Sequence, residues 1–248
     1  MVVAVRYNQL TLFLLTMVEA YIMIVAGVAL WALMVLAGKR LSDSAMRAIT
    51  VFGGAFLLAV CSLDLLPELS TPGNAHFALL PYVAVLVGFL IQQILDSLSA
   101  HAEHGHTEEG FTLFGLLLGL SLHALIEGMP LVDANGSVNH GLLWGIIIHN
   151  IPVAIILVGL MKARGYGFCP VLALLTLFGI MSPLGSLLNH YVIQPSPEVQ
   201  QAIVGLVVGV LLHVSSSILF DHKRNHFSWL SVLLTTVAFA AALLITTL

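Results

Sequence analysis

Residues 111–131 read Phe-Thr-Leu-Phe-Gly-Leu-Leu-Leu-Gly-Leu-Ser-Leu-His-Ala-Leu-Ile-Glu-Gly-Met-Pro-Leu, an apolar run of membrane-spanning length interrupted by His123 and Glu127. A helix needs about 20 apolar residues to cross the hydrocarbon. An ionisable group placed there costs roughly 2.5–3.5 kcal/mol on insertion scales, so it persists only with a partner or a function. The pattern returns about a helix length later, where His149-Asn150-Ile151-Pro152 interrupts the run 140–163.

The rest of the chain is built on the same scale. Hydrophobic residues make up 59% and charged residues 8%, and the mean hydropathy is +1.05, far above the apolar share of a soluble domain. A net charge of -4 carried by so few groups gives no basic field for nucleic acid and no lysine-rich peripheral anchor. Cys61 and Cys169 each stand alone in an apolar run, which reads as small buried side chains rather than a disulfide or metal pair. The first apolar stretch runs to Ala37 without a small-residue cleavage site, too long for a signal-peptide core, and is expected to be retained as a span.

Cutting at polar, Gly and Pro punctuation predicts an all-α polytopic bundle, one membrane domain over residues 1–248. Its eight transmembrane helices fall at about 10–37, 46–69, 78–99, 111–131, 140–163, 168–191, 199–220 and 227–247. Of the eight Lys and Arg residues, Lys39, Arg40 and Arg47 follow the first span, Lys162 and Arg164 the fifth, and Lys223 and Arg224 the seventh, with only Arg6 on the other side. The positive-inside rule therefore places both termini outside. The remaining turns, Ser70 to Phe77, Val132 to Asn139 and Val192 to Glu198, leave no room for another domain.

Helical spacing turns the two clusters into a constellation. His123 and Glu127 are one turn apart, so an imidazole nitrogen and a carboxylate oxygen share a helix face, an arrangement suited to a divalent cation. Spans four and five run in opposite directions, which brings His149 to the depth of His123 near the bilayer middle. Pro152 cannot donate to the Ile148 carbonyl, nor Pro130 to that of Ile126, and both helices are expected to open locally there, as transporter helices do. A lone His in a span, such as His190 or His213, reads as an interhelical hydrogen-bonding group worth about 0.6 kcal/mol. Glu127 does not fit that bland reading, because no Lys or Arg lies deep within a span to pair with it.

Four motifs, in order, resemble the ZIP (Zrt/Irt-like) metal transporters. Leu118 to Gly128, with His123-Ala124-Leu125-Ile126-Glu127-Gly128 at its end, is similar to the family's span-four His-Asn-x-Pro-Glu-Gly. His149-Asn150-Ile151-Pro152 is similar to its span-five motif, Asp64-Leu65-Leu66-Pro67-Glu68 to its His-Leu-Leu-Pro-Glu, and Ser182-Pro183-Leu184-Gly185 to its Glu-Pro-x-Gly. The resemblance covers nearly the whole chain. It implies spans four and five in the middle, flanked by spans one to three and six to eight as inverted repeats that expose an ion alternately to each side. It also implies import into the cytoplasm, the plasma membrane as location, and homodimers.

The family's two metal sites share the span-four Glu, and this chain departs from one of them. Ala124 replaces the Asn of span four, Val153 the closing Glu of the span-five motif, and Ser182 the Glu of span six, leaving Asn150 beside Glu127. The expectation is a single-ion site of His123, Glu127, His149 and Asn150. Two imidazoles and one carboxylate suit Zn(II), Fe(II), Co(II) or Cd(II) better than Mg(II) or Ca(II), with zinc first. The partners are then the ion, as cargo rather than prosthetic group, and the lipid bilayer. Binding is expected to release protons, giving pH-dependent uptake.

Asp64 and Glu68, at the outward end of span two, read as an entrance that attracts cations, or else as a solvated helix end. His101, His104 and His106, with Glu103, Glu108 and Glu109, crowd a cytoplasmic loop at 100–110 and read as a weak metal tract or a solvated linker. Asp221 and His222, beside Lys223 and Arg224, read as surface ion pairs. Asp96 and Glu19 face either other helices or the ion path. An enzyme is not expected, since the zincin spacing His-Glu-x-x-His is absent. A sensor or transport-inactive relative that binds metal without moving it is the alternative.

Overall fold

A computed structural model describes the backbone of residues 2–38, 41–70, 78–104, 109–133, 136–220 and 229–247, with side chains over 15–38, 41–70, 78–97, 115–133, 136–220 and 229–247. Helix α1 spans Val2–Leu36. Helix α2 starts at Asp43, is α-helical to Val60, widens into a π turn at Cys61–Leu65 and ends in Leu66–Glu68. Helix α3 is Leu80–His104, and α4 is Glu109–Gly128 followed by a 3-10 turn at Met129–Leu131. Helix α5 is His140–Ala163. Helix α6 is Phe168–Leu187 with a π turn at Leu188–Ile193. Helices α7, Pro197–Phe220, and α8, Trp229–Thr247, complete the described chain.

The protein is an all-α polytopic bundle. Seven of these helices are long and apolar enough to cross a membrane, and α4 adds the shorter apolar stretch Gly115–Leu131. The helix starts follow local chemistry. The side chains of Ser42 and Asn139 accept from the backbone N–H of Ala45 and Leu142, at 3.2 and 2.7 Å, each satisfying an orphan donor of a first turn. Between α4 and α5 the chain turns through an isolated bridge of Val132 with Val138, and Gly136 takes a φ of 86° that a side chain would resist.

Helix α5 lies deep in the bundle, with 67% of its most apolar window buried, against 11% for α8 and 17% for α3. Leu86, Leu90 and Ile94 of α3 and Leu233 and Leu244 of α8 point outward, as lipid-facing side chains do. The core divides along α5. One apolar cluster gathers Leu142 and Ile146 with α2, α7 and α8, and a second gathers Ala154, Leu157, Val158 and Met161 with α1 and α6. His149 and Asn150 fall at the seam between them.

The packing pairs form a near-symmetric set. Helix α1 packs on α5 as α4 packs on α6; α3 packs on α7 as α2 packs on α8; α2 touches α5 as α4 touches α7; α3 touches α4 as α5 touches α8. Exchanging helices one to three with six to eight, and four with five, maps each of these pairs onto its counterpart.

Small residues permit the closest approaches. A Cβ at Gly205 or Gly209 of α7 would overlap the carbonyl oxygens of Pro81 and Val85 on α3, and one at Gly88 of α3 would overlap that of Leu206. Gly205 and Gly209 form a small-xxx-small face that lets the two backbones meet. Gly128 against Ser182 and Gly185 against Leu125 do the same for α4 and α6.

Three expectations need correction. Cys61 is buried, but Cys169 is exposed, because it falls in the first turn of α6 at the end of the bundle. The His-rich stretch 100–110 is not all loop: α3 continues through His101 and Glu103 to His104, because Ala100, Ala102 and Glu103 favour helix and the first breaker is Gly105. Nor is α5 broken at Pro152, since a single missing hydrogen bond leaves its 24-residue helix continuous. Pro130 lies beyond the α-helical part of α4, in the 3-10 turn. The wide turns instead fall in α2 and α6, close to Pro67 and Pro183.

Candidate metal centre

His123 and Glu127 point from one face of α4 toward α5, as their spacing requires. Their nearest atoms, Nε2 and Oε2, are 3.5 Å apart. From α5, the ring of His149 meets that of His123 edge-on, with centroids 5.6 Å apart and planes at 66°. One ligand atom from each of His123, Glu127 and His149 lies within 4.8 Å of the others. Helices α4 and α5 do not themselves pack closely backbone to backbone, so these side chains bridge the gap between them.

The group is buried: relative exposure is 3% for His123, 0% for Glu127 and 5% for His149. Nε2 of His123, both carboxylate oxygens of Glu127 and Nδ1 of His149 are buried without a hydrogen-bond partner. A buried polar atom left unpaired costs roughly 1–3 kcal/mol, more if charged. Unpartnered polar atoms on three residues whose ligand atoms converge give a strong reason for a cation to settle among them. A tetrahedral Zn(II) with bonds of about 2.0–2.1 Å needs ligand separations of about 3.4 Å. His123 and Glu127 are already at that spacing, and the third ligand has at most about 1.4 Å to close.

Supporting groups surround the ligands. His123 Nδ1 lies 3.0 Å from Oε1 of Gln92 on α3, and Gln92 Nε2 donates to Asp96 Oδ1 at 2.8 Å. Asp96 Oδ2 in turn lies 3.3 Å from Nδ1 of His213 on α7, whose ring meets Phe89 edge-on at 4.8 Å. On the other side, a Cβ at Gly53 of α2 would stand 3.6 Å from the Ile148 carbonyl, the acceptor that Pro152 deprives of its helical donor.

Asn150 is buried next to His149 with Oδ1 unpartnered. It adds a buried acceptor next in sequence to one of the three residues whose ligand atoms converge. At the positions where the resemblance implies a second set, Ala124 is fully buried in the apolar cluster beside α5, and Ser182 is buried with an unpartnered Oγ.

Asp64 stands against the first turn of α5: a Cβ at Gly141 would lie 2.9 Å from its Oδ2. There it also answers the partial positive charge of that helix end. Glu68 is within electrostatic reach of Asp64 and of Asp133 in the α4–α5 turn, so three acidic groups gather at this end of the bundle. Asp133 also lines a cavity of about 210 Å³ with Asn189, His190, Gln194 and Gln200. In the His-rich stretch 100–110, His106 and the side chains of His101 and His104 lie outside the described residues, as do Asp221 and His222.

Sequence reasoning missed Gln92 altogether and left Asp96 undecided. The one sequence signal is that Gln92 and Asp96 are themselves one turn apart on α3; their approach to His123 depends on packing against α7 that spacing does not give. No protein-family model matches the chain, and no curated protein matches it significantly.

Proposed function

We propose that the protein carries a divalent transition-metal ion, zinc first, across the membrane through a single site of His123, Glu127, His149 and Asn150. The observation that carries this reading is the convergence of two imidazoles and a carboxylate, all buried and each with a polar atom left unpartnered, between α4 and α5 of a membrane bundle. Nitrogen-rich donors favour Zn(II), Co(II), Fe(II) or Cd(II) over hard oxygen-seeking ions. The ordered resemblance to the ZIP transporters supports the reading, as does the near-symmetric packing, which suits two repeats rocking about a central site. The distribution of Lys and Arg supports outward termini and, with the resemblance, import across the plasma membrane. Acidic Asp64 and Glu68 would then draw cations to the outer end.

The deep burial of the ligands and the substitution pattern at Ala124, Val153 and Ser182 also favour a second reading, a metal sensor that binds without transport. Zinc uptake by proteoliposomes separates the two. A transporter fills the vesicles and loses this on Glu127→Ala or His123→Ala; a sensor binds zinc in detergent yet leaves the vesicles empty.

A further inference from the structure

The hydrogen bonds behind His123 determine which of its nitrogens faces the ion. As a carboxylate Asp96 only accepts, so the Gln92 amide turns its NH2 toward it, and Nε2 donates to Oδ1 at 2.8 Å. That leaves Oε1, an acceptor only, against His123 Nδ1 at 3.0 Å, and the imidazole must be the donor in this pair. With the proton on Nδ1, the lone pair is left on Nε2. Nε2 is the atom that lies 3.5 Å from Glu127 and has no hydrogen-bond partner.

Resting on the metal-site reading above, we propose that Gln92 is a positioning residue: oriented by Asp96, it locks His123 in its Nδ1–H tautomer and so presents Nε2 as a ligand. The anchor of this chain is independent of the site. The overlap-tight contact of Gly205 and Gly209 with α3 fixes the register of α7 on α3, and one turn beyond Gly209 it brings His213 to Asp96. Metal-bound imidazoles need such support on the second nitrogen, which sets tautomer and ring angle, and losing it lowers metal affinity by about 10–100-fold.

The polarity of the chain yields a test that packing alone cannot imitate. In Asp96→Asn, the new amide can donate, so Gln92 is free to invert, offer NH2 to Nδ1 and drive the proton to Nε2. Adding Gln92→Glu restores the order: the amide introduced at position 96 donates to the carboxylate introduced at position 92, which can only accept from His123 Nδ1. The experiment uses the full chain in nanodiscs with 15N-labelled histidine, the His123 signals being assigned by their loss in His123→Ala, alongside Zn(II) titration.

The expected result is an Nδ1–H tautomer in the metal-free wild type. It is lost in Gln92→Leu and Asp96→Asn with zinc affinity about 10–100-fold lower, and both are regained when Gln92→Glu is combined with Asp96→Asn. An Nε2–H tautomer in the wild type, or a double variant no better than Asp96→Asn, overturns the proposal. Because the tautomer is read without metal, a wild type that shows Nδ1–H but binds no zinc upholds the relay and removes the metal-site reading instead.

Discussion

Nε2 of His123 and Oε2 of Glu127 stand 3.5 Å apart with no hydrogen bond between them or to any other described group. That separation is close to the ligand–ligand edge of a zinc tetrahedron, about 3.4 Å. The pair therefore has the spacing of two zinc ligands, and its position on one rigid helical turn means that little reorganisation would accompany binding.

Glu127→Gln keeps the shape of the side chain and removes its charge and one acceptor. Zinc affinity is expected to fall by more than the roughly 10–100-fold that attends loss of a supporting group, and His123→Ala is expected to do the same. Calorimetric titration of the purified protein measures both. Unchanged affinity in Glu127→Gln would remove the carboxylate from the site.

The same residue should behave oppositely in stability. Glu127→Leu replaces two unpartnered buried oxygens with apolar atoms, so the metal-free protein is expected to gain about 1–3 kcal/mol while losing zinc binding. Thermal unfolding in detergent, with chelator present, tests the sign. A destabilised Leu variant would mean that Glu127 has a structural partner.

Gly209→Leu forces a side chain into the carbonyl of Val85 and is expected to destabilise the bundle by about 1–3 kcal/mol or to prevent folding. Gly115→Ala is its control, since nothing lies within 4 Å of a Cβ there and a helical Ala is neutral to favourable by up to about 1 kcal/mol. Equal effects of the two substitutions in a thermal melt would contradict the close α3–α7 contact.

Since Ala124, Val153 and Ser182 stand where the ZIP resemblance implies a second ligand set, the proposed function predicts one zinc per chain, displaced by Co(II) or Cd(II) and left in place by a large excess of Mg(II) or Ca(II). Metal analysis after desalting, followed by competition, checks the number and the order. Two ions per chain would show that Asn150 and Ser182 still support a second site.

The fold class was legible because a helix interior in lipid must be apolar over its whole length, and the predicted span 140–163 coincides with α5. The pairing of His123 with Glu127 followed from helical spacing, and that of both with His149 from the depths of opposed spans. Gln92 was not legible, since it lies on a third helix whose rotation depends on packing against α7. The continuity of α5 through Pro152 was equally hidden: a proline removes one hydrogen bond, and whether the helix opens depends on the helices around it. The π turns in α2 and α6 were hidden too, because the apolar pattern of a span does not mark where a helix widens by one residue.

The most direct test of a single ion held by His123, Glu127 and His149 is anomalous diffraction at the zinc edge from zinc-soaked crystals of the protein. One peak is expected between α4 and α5, within about 2.0–2.2 Å of a nitrogen of each histidine and a carboxylate oxygen of Glu127. A map with no peak there, and with Glu127 hydrogen-bonded to a neighbouring helix, would contradict the account.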